Sequence, residues 1–243
     1  MLSMRSIILL FPFLFLLACS KEDVVMGPTG SPAPPSAEPD TTISFLALGD
    51  SYTIGTSVAA DERWPNQLSR QLLAREKIAV EPLEIVARNG WRTDNLANAL
   101  AAADPGENFD LVSLLIGVND QFQGFSVDGY QQRFRALLES AIGYAGGDTS
   151  RVFVVSIPDY AYTPFGGGKE SISREIDAFN AAAESVATSY GVPFYNITPI
   201  TRRGLQQPDL VASDNLHPSG KQYGLWVEEV LLARVAGLIR KNG

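Results

Sequence analysis

Short apolar runs that alternate with amphipathic segments are the feature that most constrains the fold of this chain. Most of the runs are continuously apolar, which indicates strands that are buried on both faces of a parallel sheet. Five strands are predicted, at Ile43–Leu48, Leu83–Ala87, Leu111–Ile116, Val152–Ile157 and Pro193–Asn196. The alternation predicts an α/β fold, built as a three-layer α/β/α sandwich around a five-stranded parallel sheet.

The segments between these strands carry apolar residues at the spacing of a helix face. They predict helices at Trp64–Arg75, Thr93–Ala103, Tyr130–Tyr144, Ser171–Tyr190 and Ser219–Arg240. In open parallel sheets, ligands bind beyond the carboxyl ends of the strands. Functional side chains are therefore expected in the residues that directly follow each strand.

The N-terminus has the pattern of an export signal. Arg5 precedes the apolar stretch Ile7–Leu17, which is shorter than the roughly 20 residues that a bilayer-spanning helix needs. The stretch runs into Leu-Leu-Ala-Cys, which resembles the lipobox of bacterial lipoproteins. Residues 1–18 are therefore predicted to be a signal peptide and Cys19 a lipidation site. An ordinary signal peptide with an incidental cysteine is the alternative.

The signal is followed by a spacer and then by the folded domain. Residues 19–40 are rich in Pro, Gly and Ser and predict an extended tether, whereas residues 41–243 predict a single domain. A lipid anchor would place this domain at the cell envelope, attached to a membrane. Ser20 after the cysteine resembles the pattern that directs lipoproteins to the bacterial outer membrane. The net charge of −8 disfavours nucleic acid as a partner.

Four polar clusters stand where functional side chains are expected, three of them directly after a predicted strand and one near the C-terminus. They are Gly49-Asp50-Ser51-Tyr52, Arg88-Asn89-Gly90-Trp91, Gly117-Val118-Asn119-Asp120 and Asp214-Asn215-Leu216-His217-Pro218. Because parallel strands end at the same edge of a sheet, these clusters are expected to converge.

The chain has a single histidine, which narrows the possible chemistry. A serine hydroxyl becomes a good nucleophile when a base removes its proton, and imidazole is the usual base near pH 7. His217 is therefore the candidate base and Ser51 the candidate nucleophile, with Asp214 close enough to orient the imidazole. The alternatives are an unremarkable surface histidine and a serine that caps a helix.

Attack on an ester carbonyl places negative charge on oxygen, which hydrogen-bond donors must stabilise. The candidate donors are the backbone N–H groups of Ser51 and Gly90 and the side-chain amide of Asn119. Gly90 permits a close approach of its backbone because it lacks a Cβ atom. The alternative for Gly90 and Asn119 is ordinary turn chemistry, since both residue types are frequent in turns.

The four clusters, in this order, resemble the four conserved blocks of the SGNH (GDSL-like) hydrolases. The resemblance implies a flavodoxin-like strand order of 2-1-3-4-5 and no metal or cofactor. It implies a triad of Ser51, Asp214 and His217, and an oxyanion hole formed by Ser51, Gly90 and Asn119. One departure is Tyr52, where the family often has leucine.

The resemblance predicts an ester hydrolase that forms an acyl-enzyme, and the substrate class stays open at this point. Acetyl groups on carbohydrates or other small acyl esters are the first expectation, and a lysophospholipase or thioesterase for longer acyl chains is the second. A non-catalytic glycan-binding protein on the same fold is a third alternative. Six aromatic residues are candidates for the rim of the site or for the core: Tyr52, Trp91, Phe122, Tyr160, Tyr162 and Phe165.

Overall fold

A computed structural model describes residues 38–103 and 105–242 of the chain. Its sheet has five parallel strands: β1 (Thr41–Gly49), β2 (Ile78–Ala87), β3 (Leu111–Leu115), β4 (Val152–Val155) and β5 (Phe194–Tyr195). The strand order is β2-β1-β3-β4-β5, and every neighbouring pair is parallel. The predicted α/β fold, its five strands and their order are confirmed.

Helices connect the strands and flank the sheet. They are α1 (Ser51–Ile54), α2 (Trp64–Glu76), α3 (Thr93–Ala103), α4 (Val118–Phe122), α5 (Val127–Tyr144), α6 (Glu170–Ser189), α7 (Thr198–Thr201), α8 (Gly220–Leu225) and α9 (Leu232–Asn242). Short 3₁₀ turns lie at Ala60–Glu62, Thr149–Arg151, Tyr160–Tyr162 and Pro208–Leu210. None of the helices in residues 38–103 and 105–242 combines the length and the apolar character needed to cross a membrane.

Two elements differ most from the sequence prediction, whereas the other predicted strands and helices agree with it to within three residues at each end. β2 begins at Ile78 and not at Leu83. The prediction began the strand too late because Glu81 and Pro82 interrupt its apolar pattern. The strand continues past these two residues through a register shift opposite β1. Proline is tolerated there because β2 is an edge strand, and because at the register shift no backbone N–H is needed for the regular hydrogen bonds between the strands. The C-terminal helix, predicted as one segment, contains a π-helical stretch at Trp226–Leu231 between α8 and α9.

The core lies on both faces of the sheet, as the continuous apolar runs predict. Every residue of β3 is buried, and so are Phe45 to Leu48 of β1. From β1 the chain first adds β2 on one side and later crosses to β3 on the other. This reversal opens a crevice between the carboxyl ends of β1 and β3, which is where ligands bind in such sheets.

Several predictions concern the N-terminal segment and lie outside the described residues. They are the signal peptide at residues 1–18, the lipidation site at Cys19 and the tether up to residue 37. These stay predictions.

Candidate active site

Ser51 is the first residue of α1, directly beyond the end of β1. The residue that caps this helix is Asp50, whose Oδ1 accepts a hydrogen bond of 2.9 Å from the Tyr52 backbone N–H. The capping role considered for Ser51 therefore belongs to its neighbour. Ser51 is only 3% exposed, yet it lines the cleft at the edge of the sheet.

His217 contacts the carboxylate predicted to orient it. The distance between Nδ1 of His217 and Oδ2 of Asp214 is 2.6 Å. An ionised carboxylate only accepts hydrogen bonds, so Nδ1 carries the proton and Nε2 is left as the basic nitrogen. The Tyr52 ring packs against the imidazole with a centroid distance of 5.0 Å. Asp214 and His217 thus have the relation that a general base and its orienting group require.

Asp214 accepts hydrogen bonds at both of its oxygens. Its Oδ1 accepts the backbone N–H groups of Leu216 and His217, each at 2.9 Å. Its Oδ2 accepts the Ser57 hydroxyl at 2.6 Å in addition to the imidazole. Partial burial by itself raises the pKa of Asp214, but these hydrogen bonds outweigh burial and hold the pKa well below its usual range. The carboxylate therefore stays ionised whenever the imidazole acts.

Ser51 and His217 line the same small cleft, which has a volume of about 100 Å³. The cleft lies at the crevice between β1 and β3 and is lined by Ser51, Tyr52, Asn89, Val118, Asn119, Phe122, Tyr160, Phe165, Leu216 and His217. Among the hydrogen bonds of the described residues there is none between the Ser51 hydroxyl and the imidazole. Such catalytic hydrogen bonds are often long without substrate and tighten when it binds.

Two of the three predicted oxyanion donors belong to residues of this cleft, Ser51 and Asn119. Asn119 lies in α4, and its Nδ2 donates a hydrogen bond of 3.0 Å to the Trp91 carbonyl. A side-chain amide has two N–H donors, and the Asn119 side chain also interacts with the buried Asp50 carboxyl group, whose pKa burial raises and this interaction lowers. The donation of an Asn119 N–H to an oxyanion stays a prediction. Gly90 has a left-handed backbone with φ of +78° and is exposed, and it is not among the lining residues. The contribution of its N–H stays a prediction.

Asn89 lines the cleft although the sequence analysis gave it no role. It immediately precedes Gly90 in the loop that follows β2. The available signal was its place in the second polar cluster, where an amide side chain stands beside the glycine. Asn89 therefore adds a further side chain with hydrogen-bonding groups to the lining of the cleft.

A buried carboxylate next to Asn119 holds together the helices on this side of the site. Asp120 is fully buried and accepts hydrogen bonds from the Thr93 backbone N–H at 2.9 Å and from the Thr93 hydroxyl at 2.6 Å. Arg133 of α5 forms an ion pair with the same carboxylate at 3.1 Å. Asp120 therefore ties α4, which carries Asn119, to α3 and α5.

Asp50 lies fully buried under the nucleophile. Its Oδ2 atom has no hydrogen-bond partner among the described residues. Burial raises the pKa of Asp50 to about 7, although the Tyr52 N–H opposes this shift, and the charge of Asp120 raises the pKa further. This carboxyl group is therefore partly protonated near neutral pH.

Four of the six aromatic candidates line the cleft and two do not. Tyr52, Phe122, Tyr160 and Phe165 are lining residues, whereas Trp91 and Tyr162 are not. The rings of Phe122, Tyr160 and Phe165 form a triangle with centroid distances of 6.0 to 6.2 Å. Phe122 and Phe165 are more than half exposed, so the triangle joins the cleft to the solvent-facing rim.

In residues 38–103 and 105–242, no three His, Cys, Asp or Glu side chains are grouped so that they could hold a metal ion.

The five-stranded parallel sheet and the cleft at its carboxyl edge define the class of this protein as a hydrolase of the SGNH type. Residues 47–225 match the GDSL-like lipase/acylhydrolase family. The chain belongs to that family, as its four polar clusters predict, and it is a carboxylic ester hydrolase. No curated protein sequence matches it.

Solved structures share the fold at low sequence identity. The psychrotrophic esterase EstA from Pseudoalteromonas sp. is 19% identical, with a TM-score of 0.60, over 82% of this chain and 97% of that chain. The acetylxylan esterase Axe2 from Geobacillus stearothermophilus is 19% identical, with a TM-score of 0.61, over 84% and 96%. The lipase Lip_vut3 from a goat rumen metagenome is 18% identical, with a TM-score of 0.65, over 81% and 98%.

Proposed function

We propose that this protein hydrolyses short acyl esters through an acyl-enzyme formed on Ser51, with acetyl groups on carbohydrates as the favoured substrate class. The observation that carries the proposal is the shared cleft: Ser51 lines it together with His217, and the imidazole is held by Asp214 at 2.6 Å. A nucleophile, a base and an orienting carboxylate in this relation are the requirements for acyl transfer.

The proposed reaction has two halves. Nε2 of His217 takes the proton of the Ser51 hydroxyl while its oxygen attacks the ester carbonyl. The Ser51 N–H, the Gly90 N–H and the Asn119 amide stabilise the oxyanion, and the alcohol then leaves with the proton from Nε2. Water repeats the same steps on the acyl-enzyme, which releases the acid and restores Ser51.

The size of the cleft favours a short acyl group. Its volume of about 100 Å³ is smaller than an apolar cavity of about 150 Å³, which holds one benzene molecule. Acetyl and similar small acyl groups fit this space, and the triangle of Phe122, Tyr160 and Phe165 limits longer ones. The shared fold with an acetylxylan esterase adds support for acetylated carbohydrate as the substrate.

A second candidate is hydrolysis of longer acyl chains, as in a lysophospholipase or thioesterase. The observation in its favour is the exposure of Phe122 and Phe165, at 57% and 52%. These rings offer an apolar path from the cleft to the surface along which a longer chain could lie. The two candidates therefore differ in the acyl length that the site prefers.

The test is hydrolysis of p-nitrophenyl esters from acetyl to dodecanoyl by the wild-type protein and by Ser51→Ala. Wild type is expected to prefer acetyl to butyryl esters, and Ser51→Ala to lose at least about 10³-fold in kcat because no acyl-enzyme forms. Fluorophosphonate labelling of Ser51 checks the nucleophile directly and separates an enzyme from a glycan-binding protein. Full activity of Ser51→Ala would discard the mechanism, and a preference for octanoyl or longer esters would favour the second candidate.

The proposal places this activity at the cell envelope. The lipobox-like sequence before Cys19 and the Pro-rich tether after it support a domain anchored to a membrane by lipid, in the outer membrane of a bacterium. A tethered domain would reach acylated glycans or other esters close to the membrane surface.

A further inference from the structure

Ser57 donates a hydrogen bond to Asp214 from a distant part of the sequence, whereas the other donors to Asp214 are its near neighbours in the chain. Within the described part of the chain, the Asp214 carboxylate accepts three hydrogen bonds from Leu216 and His217, which are at most three positions away. The fourth comes from the Ser57 hydroxyl, which donates to Oδ2 at 2.6 Å from 157 positions away in the sequence. Ser57 is therefore the tertiary contact that holds a carboxylate otherwise bonded only within its own turn.

The loop that carries Ser57 is attached to the candidate nucleophile. The backbone N–H groups of Gly55 and Thr56 both donate to the Ser51 carbonyl at 3.0 Å. The N–H of Val58 then donates to the Gly55 carbonyl at 3.4 Å. A short chain of hydrogen bonds thus runs from the Ser51 backbone through this loop and the Ser57 hydroxyl to Asp214.

The backbone at Ser57 is unusual and agrees with a role for its hydroxyl. Its φ of +67° lies in the left-handed region, which residues other than glycine seldom occupy. Glycine would adopt this conformation with less strain, so a packing or backbone requirement alone does not account for serine here. The hydroxyl does account for it, because it reaches Oδ2 of Asp214 from this position.

We propose that Ser57 is a positioning residue for the Asp214–His217 pair. Its hydroxyl fixes Oδ2 of Asp214 and thereby sets the location of the imidazole relative to Ser51. The same hydrogen bond withdraws negative charge from the oxygen that faces Nδ1, which moderates how strongly Asp214 attracts an imidazolium ion. This inference rests on the proposed mechanism, since it assigns the imidazole the role of base.

The experiment uses Ser57→Gly, which removes the hydroxyl and suits the left-handed backbone. His217 is the only histidine in the chain, so ring signals of histidine labelled with ¹³C and ¹⁵N report on it without ambiguity. The NMR titration curve of the ring should move to higher pH in the variant, because Oδ2 retains more charge for the imidazolium. With p-nitrophenyl acetate, kcat should fall about ten-fold while KM stays within about two-fold.

Other titratable side chains surround the imidazole and Asp214, among them Tyr223 of α8, whose pKa burial raises and the Asp214 charge raises further. Tyr52 of α1 packs on the ring, and Asp159 and Tyr160 line the small cavity beside it. None of them is hydrogen-bonded to Ser57 in the described structure, so a displaced titration curve in Ser57→Gly reports on the link through Asp214.

Two control variants separate this role from a general structural one. Ser44→Ala removes a similar hydroxyl, which donates to Asp110 at 2.9 Å at the opposite end of the sheet, and it should change neither the titration nor kcat. Ser57→Asn keeps a hydrogen-bond donor on a residue type that tolerates the left-handed backbone, so it should displace the titration curve less than Ser57→Gly does.

An unchanged titration curve in Ser57→Gly, or an unchanged kcat, would overturn the inference. Failure of the proposed mechanism is recognised separately, by full activity of Ser51→Ala. The NMR titration reads the link from Ser57 through Asp214 to His217 in any folded variant, whether or not the ester is hydrolysed.

Discussion

Asp50 and Ser51 are neighbours in the first polar cluster but have different roles. Asp50 caps α1 and lies fully buried, while Ser51 beside it lines the cleft. A fully buried carboxyl group favours its neutral form, and Oδ2 of Asp50 accepts no hydrogen bond from the described residues, which is why burial raises the pKa of Asp50 to about 7. The position below the nucleophile therefore carries a stability cost that depends on pH.

Asp50→Asn tests that cost. Between its ordinary pKa of 3.8 and about 7, folded Asp50 holds a proton that the unfolded chain has released. The free energy of unfolding of the wild type therefore falls as pH rises through this window and is constant above it, as far as Asp50 contributes. Asparagine cannot ionise, so its free energy of unfolding lacks this pH dependence. The free energy of unfolding of Asp50→Asn minus that of the wild type should therefore increase by on the order of 3 kcal/mol from pH 4 to pH 8.

Urea unfolding of both proteins at pH 4, 6 and 8 measures this difference, and the contributions of other carboxylates cancel in the comparison. A difference between the two proteins that is the same at all three pH values would contradict the raised pKa of Asp50.

At the scale of elements, the tight junction between β1 and α1 places Ser51 directly beyond the end of the strand. Gly49 is the last residue of β1 and pairs with Ala87 in β2 and with Leu115 in β3. A Cβ atom at Gly49 would lie 2.6 Å from the Leu115 carbonyl oxygen and would also collide with the Thr53 side chain. Glycine is therefore required for α1 to begin directly at the edge of the sheet.

Gly49→Ala should accordingly destabilise the protein by about 2 kcal/mol or more, since neither the backbone of β3 nor the first turn of α1 can move freely. The matched control is Gly143→Ala on the exposed side of α5, where a Cβ atom would meet no atom within 4 Å. This control should be neutral or slightly stabilising because alanine favours the helix. Thermal unfolding of the two variants decides the point, and equal midpoints would refute the predicted collision.

At the scale of the whole molecule, topology brings distant segments of the chain together at one cleft. The reversal of strand order around β1 places residues 51, 119 and 217 at one cleft. The location of that cleft in the cell is a separate matter, for which we propose a lipid anchor at Cys19. It is tested by fractionation and not by the fold.

We expect the full-length protein, expressed in a Gram-negative host, to sediment with membranes and to be released by detergent. Cys19→Ala should leave it in the soluble fraction of the exported material, because a thioether-linked lipid can no longer form. Ser51→Ala, which leaves the N-terminus intact, should still sediment with membranes and is the control. Membrane association of Cys19→Ala at the wild-type level would rule out a lipid anchor at this residue.

Local patterns sufficed for the alternation of strands and helices, for the family and for the residues that carry the proposed chemistry. Burial on both faces of a strand and the spacing of a helix face are recorded in consecutive residues, so β1 and β3 were predictable from their apolar runs. The single histidine and its neighbour Asp214 were equally visible, since their contact is made within one turn.

Only the tertiary structure decided the relations between distant segments. The hydrogen bond from Ser57 to Asp214, the presence of Asn89 in the cleft and the burial of Asp50 all depend on how elements far apart in the chain pack together. The volume of the cleft has the same origin, because rings from α4 and from the loop after β4 close it. A sequence pattern reports which groups a chain carries, whereas distances between separate elements are fixed by packing.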